Sequence, residues 1–155
     1  MKKSYWLAVQ IVITLVLSSV LLVGCGKKEV SSTGGVVSEV AMSAAVNDDD
    51  RPLDPTDVFA ADTRTIYCSF KVSNFPLGAV MSAKLLYVGG EAQDTLGENY
   101  VLGEHVGTME REGGGHTSIF WLRSSMINDA WPKGGYKVVL SVQGKEEASA
   151  SFKVQ

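Results

Sequence analysis

The chain of 155 residues is poor in the side chains that usually announce chemistry. It holds two cysteines, Cys25 and Cys68, and two histidines, His105 and His116. Two thiols cannot build the disulfide framework of a small secreted scaffold. Two imidazoles leave little for a histidine-rich metal site. Positive charge is scarce as well: 14 Lys and Arg face 17 Asp and Glu, a net charge of −3. Nucleic-acid binding needs clustered cations to displace phosphate counterions, so no nucleic-acid partner is expected. No segment after residue 55 repeats with a helical period, which argues against α/β folds. The length leaves room for one domain plus extensions.

Catalytic patterns are missing too. No serine stands in a nucleophile elbow. Gly113-Gly114-Gly115 lacks the lysine and following helix of a phosphate loop. Asp48-Asp49-Asp50, even with Asp54 and Asp57, lacks the glycine and the distal bidentate carboxylate that a calcium loop uses. Cys68 lies in an apolar segment with no evident cation, histidine or helix N-terminus to lower its pKa, so it reads as a buried, inert thiol. His105 and His116 flank Glu110–Gly115, which reads as a hairpin connection. Such a hairpin sets them about four residues apart along the ladder, roughly 13 Å, too far for one zinc ion. No catalytic residue, metal site or cofactor is assigned, and the chain is not expected to be an enzyme.

What is present begins at the N-terminus. Met1-Lys2-Lys3 is basic, and Trp6 to Val23 has 14 apolar residues in 18 positions, interrupted by Gln10, Thr14, Ser18 and Ser19. Leu22-Val23-Gly24-Cys25 follows. A charged start, an apolar stretch and small residues form the layout of a secretory signal. Read from the residues alone, an uncleaved membrane helix stays open, since 18 residues is close to the roughly 20 that span a bilayer.

Leu22-Val23-Gly24-Cys25 resembles the lipobox of bacterial lipoproteins. The resemblance implies that residues 1–24 are a signal peptide, that the Cys25 thiol is diacylated, and that cleavage makes Cys25 the first mature residue. Two or three acyl chains hold a protein firmly, each buried CH₂ adding about 0.8 kcal/mol. The remaining chain has 12 cationic and 17 acidic side chains, a balance of −5, so lipid rather than charge would do the anchoring. The implied location is the extracytoplasmic side of a cell membrane.

Residues 25–55 read as a lipidated cysteine and a flexible, disordered linker. Gly26 to Gly35 is small and polar, Val36 to Val46 has valines and alanines without a steady period, and Asn47-Asp48-Asp49-Asp50 is a charge run before Arg51-Pro52-Leu53-Asp54-Pro55. Thirty such residues span roughly 30 Å as a flexible coil.

From residue 56 to 155 the pattern is period two. Ile66, Cys68, Phe70 and Val72 alternate with Tyr67, Ser69 and Lys71; Met81, Ala83, Leu85 and Tyr87 with Ser82, Lys84 and Leu86. Tyr136, Val138, Leu140 and Val142 alternate in the same way, as do Ala148, Ala150, Phe152 and Val154. Tyr100–Met109 and Thr117–Arg123 are further strands, and Val58-Phe59 a short edge strand. About seven antiparallel strands with turns every 8–12 residues predict an all-β domain.

The segments Ile66–Val72, Trp131-Pro132-Lys133-Gly134-Gly135-Tyr136-Lys137-Val138 and Phe152-Lys153-Val154 resemble the immunoglobulin-like sandwiches of many bacterial lipoproteins. The resemblance implies architecture more than activity. It places Cys68, Leu85 and Val138 inward, where antibody domains keep a disulfide and a tryptophan.

In Ile119-Phe120-Trp121-Leu122 both parities are apolar. Counting from an exposed Arg123 turns Ile119 and Trp121 outward, a composition that suits a partner-binding face because tryptophan is enriched at hot spots. Trp131 reads as a plug at one end of the domain. The expected function is a membrane-anchored, non-catalytic binding or envelope-assembly module with a protein or envelope polysaccharide partner. The alternative is an accessory subunit of a secreted enzyme, or a metal- or ligand-binding extracytoplasmic protein.

Overall fold

Residues 34–110 and 112–155 are described by a computed structural model. The elements in chain order are β1 (Val36–Ser43), β2 (Ala45–Val46), β3 (Pro52–Leu53), β4 (Val58–Phe59), β5 (Thr65–Ser73), β6 (Val80–Gly90), a one-turn helix α1 (Gln93–Leu96), β7 (Tyr100–Thr108) and β8 (Gly114–Leu122). Two 3-10 turns, Arg123–Ser125 and Ile127–Asp129, then lead to β9 (Gly134–Val142) and β10 (Lys145–Val154). The domain is all-β, as the period-two pattern predicts.

The strands form a three-stranded sheet, β1-β5-β8, a five-stranded sheet, β4-β10-β9-β6-β7, and a small β2-β3 ribbon. One apolar core holds buried residues of both larger sheets. Ile66, Cys68, Phe70 and Val72 enter it from β5, Ala83, Leu85 and Tyr87 from β6, and Tyr136, Val138, Leu140 and Val142 from β9. Cys68, Leu85 and Val138 are completely enclosed, as the alternation of each strand requires. Trp131 is also enclosed; its Nε1–H donates to Thr63 O at 2.8 Å, so it does plug one end.

Three expectations are corrected. First, the seven strands expected over residues 56–155 are present as β4–β10, but they are not all antiparallel: β4 runs parallel to β10, so the larger sheet is mixed. Second, Val36 to Leu53 is not a linker. β1 pairs with β5 from Val36 opposite Ser73 to Ser43 opposite Tyr67, and β2-β3 folds back beside β5. The domain therefore begins near residue 34, not 56. The reason lies in a bulge: the register shifts between Ser38 and Ala41, and Glu39 takes a φ of 52°. A bulge inserts one residue and breaks the alternation, so Val37 and Met42, both packed on the core, have opposite parities. Third, β7 and β8 do not form a hairpin. β7 pairs with β6 and β8 with β5, so Glu110–Gly115 crosses from one sheet to the other.

The signal segment 1–24, Cys25 and residues 26–33 of the expected linker lie outside the described residues. Among the described residues no helix is long and apolar enough to cross a membrane.

Candidate functional site

β7 ends the five-stranded sheet and β8 ends the three-stranded one, so each leaves one edge unpaired. Between them the core opens into a groove of about 740 Å³. Its floor is apolar, built from Phe70, Val72, Ala83 and Leu140, with Ile119 on the β8 side. Its rim is polar and includes Asp50, His105, Glu110 and His116.

The two histidines have different anchors. His105 Nε2 lies 3.0 Å from Phe120 O. A carbonyl only accepts, so this nitrogen carries the proton. The contact ties β7 to β8 across the opening, and the His105 ring packs edge-on against Trp121 at 5.4 Å. His116 Nε2 stands 3.4 Å from Glu39 Oε2 without hydrogen-bond geometry, and its Nδ1 is buried with no partner. Glu39 also meets Lys71 Nζ at 3.3 Å. Glu39 of the β1 bulge is thus ion-paired with Lys71 of β5 and lies beside His116 of β8.

Asp50 reaches this region from the β2-β3 ribbon. Its carbonyl accepts from Ser69 Oγ and its Oδ1 accepts from Ser118 Oγ at 2.5 Å. Within the sequence it looks like one aspartate of a solvated run. Only the fold-back of Val46–Pro52, closed by Asn47 N donating to Arg51 O at 2.9 Å, brings it over two serines.

The proposed exposed pair, Ile119 and Trp121, is corrected. Both turn inward: Trp121 is 5% exposed, and Ile119 packs against the core. Phe120 and Leu122 are the exposed ones, at 47% and 40%. Pairing decides the parity, because Trp121 stands opposite Ile66 and Ile119 opposite Cys68, both fully buried. The count from Arg123 fails because the strand stops at Leu122. Arg123 begins a 3-10 turn and donates from Nη1 to Asp62 O at 2.9 Å. Gly103 makes room for the indole: a Cβ there would sit 3.2 Å from Trp121 Nε1. Phe120 instead packs on Tyr67 with ring centres 5.7 Å apart.

Cys68 is free and enclosed, and burial pushes its thiol from 9.0 up to about 12. It is protonated at neutral pH and a poor nucleophile. Burial, with the nearby Tyr87 and Glu91, raises Tyr136. Among the described residues no group of three or more His, Cys, Asp or Glu is placed to hold a metal ion. What this groove offers chemically is an apolar floor and unpaired main-chain edges.

No protein-family model matches the chain, and no curated protein matches it. Solved structures do. A Pseudomonas fluorescens alkylpurine DNA glycosylase, bound to DNA containing an abasic-site analogue, superposes with a TM-score of 0.53 at 15% identity, over 78% of this chain and 30% of that one. A Trichoderma reesei β-D-glucoside glucohydrolase gives 0.48 at 11% identity over 80% and 19%. A Listeria innocua β-glucosidase with isofagomine gives 0.46 at 7% over 77% and 16%. The chain spans less than a third of each. At such identities the likeness to the glycosylase concerns fold alone.

Proposed function

We propose that this chain is a lipid-anchored, extracytoplasmic, non-catalytic module of immunoglobulin-like architecture, which binds an extended polypeptide segment in the groove between β7 and β8. The anchor rests on Leu22-Val23-Gly24-Cys25 behind a basic and apolar start. The architecture is supported by the strand order, with β1-β5-β8 facing β10-β9-β6-β7 and a short β4 beside β10. A second support is Tyr136, the third residue of β9, which donates its hydroxyl to Pro132 O at 2.5 Å and stands two residues before the enclosed Val138. A tyrosine bonded back to the chain just upstream is a hallmark of the sixth strand of such domains.

The observation that carries the function is the pair of unpaired edges flanking an apolar floor. Edge strands present N–H and C=O groups in the spacing of another strand, and strand addition combines those bonds with side-chain pockets. A peptide supplies matching main-chain groups.

Two measurements test this. Acyl labelling should be lost in Cys25→Ala, with precursor retained; normal processing of that variant refutes the anchor. A photo-crosslinker at Val106, 68% exposed on β7, should give one defined adduct in intact membranes. Thr117→Arg, which fills the groove, should abolish it without lowering the melting temperature. Persistence of the adduct in Thr117→Arg, or no adduct at all, refutes groove binding.

A further inference from the structure

We propose that the groove selects a segment in which lysine or arginine alternates with apolar residues, added antiparallel to the free edge of β8 with its cations beside Asp50. The inference deepens the groove function proposed above and rests on it.

In an antiparallel pair, opposite residues alternately exchange both main-chain bonds and neither. Arg123 N donates to Arg64 O, and Asn74 N to Gly113 O, each at 2.9 Å. Both contacts continue the β5-β8 register, in which Leu122 faces Thr65 and Gly114 faces Ser73. Thr117, Ile119 and Trp121 therefore bond to β5. His116, Ser118 and Phe120 turn their N–H and C=O groups to the free edge. Phe120 O already accepts from His105 Nε2 at 3.0 Å, which agrees with that parity and closes one end of the edge. His116 and Ser118 are left to pair with an incoming strand.

Successive side chains of a strand alternate between its faces. Since Ile119 turns inward, His116 and Ser118 lie on the outer face. Residues of an added strand that stand opposite them share that face. The residue between them stands opposite Thr117 and enters the groove, over the apolar floor of Val72, Ala83 and Leu140.

The outer face is acidic at this point. Asp50 Oδ1 accepts from Ser118 Oγ, and a carboxylate can accept several bonds. The turn that carries it is held from within: Asn47 Oδ1 accepts from Asp49 N at 3.1 Å and from Arg51 N at 2.9 Å. Asp48 and Asp49 are exposed on the same turn, so three carboxylates face the one guanidinium of Arg51. Lys71, the cation of β5 on this face, is taken by Glu39 at 3.3 Å. Opposite charges on neighbouring strands attract and like charges repel, so a cation is favoured in the incoming strand. A second copy of the chain does not supply one: the outermost strands β1, β4, β7 and β8 contain no Lys or Arg.

The test uses the full chain in detergent micelles and fluorescent peptides that alternate valine with lysine, serine or glutamate. The lysine peptide should bind about fivefold more tightly than the serine peptide, in the range of an accessible ion pair, and the glutamate peptide should bind least. Asp50→Asn, which keeps an oxygen for Ser118, should remove the preference. Methylating the lysine amides should abolish binding, because those N–H groups face β8, whereas methylating the valine amides should not; this arm needs no variant. Equal affinity for the three peptides, or loss on methylating valine instead, overturns the selection and leaves the groove standing while Thr117→Arg still blocks binding. Self-association through β8 that excludes the lysine peptide also overturns it. Failure of every peptide to bind protein that gives the Val106 adduct overturns the selection alone; failure of both overturns groove binding as well.

Discussion

β8 and β9 are both nine-residue strands facing the core, yet they differ in how much their own residues specify. In β9, Tyr136, Val138, Leu140 and Val142 are buried, while Lys137, Val139 and Ser141 are half-buried on the other face. Two of those three are polar, so only one orientation avoids burying an ammonium. In β8, Ile119-Phe120-Trp121-Leu122 offers apolar residues to both faces, and a one-residue slip would exchange them at little cost. The partner settles it: β5 aligns Trp121 with Ile66 and Ile119 with Cys68. Alternation orients a strand when the opposite parity is polar; otherwise the neighbouring strand does.

The contrast can be broken most sharply at the indole. Trp121→Ala should destabilise the domain by about 3–5 kcal/mol, in the range for a large buried aromatic, measured by urea unfolding. A change under about 1 kcal/mol would put Trp121 back on the surface.

A second test extends the comparison to β1, whose bulge hides its period altogether. Gly35→Ala forces a methyl group into the Phe75 ring and should cost about 1–3 kcal/mol, as overpacking does. Amides of Val36–Ser43 should also exchange far more slowly than those of a free linker. Exchange within seconds across β1 would restore the linker.

At Cys68 the expected loss for Cys68→Ala is about 1 kcal/mol at neutral pH, a modest core deletion. The pH profile is more telling. The folded thiol is raised to about 12 from 9.0, so the folded state holds this proton more tightly than the unfolded chain. Its stabilisation is complete below about pH 9 and falls as pH rises from there through about 12. The Cys68→Ala variant should show a flatter alkaline limb, and the native thiol should resist a bulky reagent. An unchanged limb would place the thiol in water.

The smallest effect belongs to the outer face of β8. Phe120→Ala loses a half-exposed packing contact with Tyr67 and should cost under about 1 kcal/mol. If it unfolds the domain while Trp121→Ala does not, the register of β8 is reversed.

The residues alone carried the all-β class and the inward sets of β5, β6, β9 and β10, because in each the opposite parity carries polar residues, such as Lys71, Lys84, Lys137 and Lys153, that fix which face turns inward. They also marked the turns at Asn74–Gly78 and Gln143-Gly144, the latter a two-residue hairpin with φ values of 51° and 80°. The tertiary structure decided what depends on a neighbour. Glu39 is a bulge only because β1 pairs with β5. Phe120, not Trp121, meets solvent only because Ile66 and Cys68 claim the other parity. His105 and His116, read as members of one hairpin, line one groove from two different sheets because Glu110–Gly115 crosses between them. Local pattern reports which residues avoid water; which strand stands beside which is settled by contacts between residues distant in the chain, and the groove exists only through them.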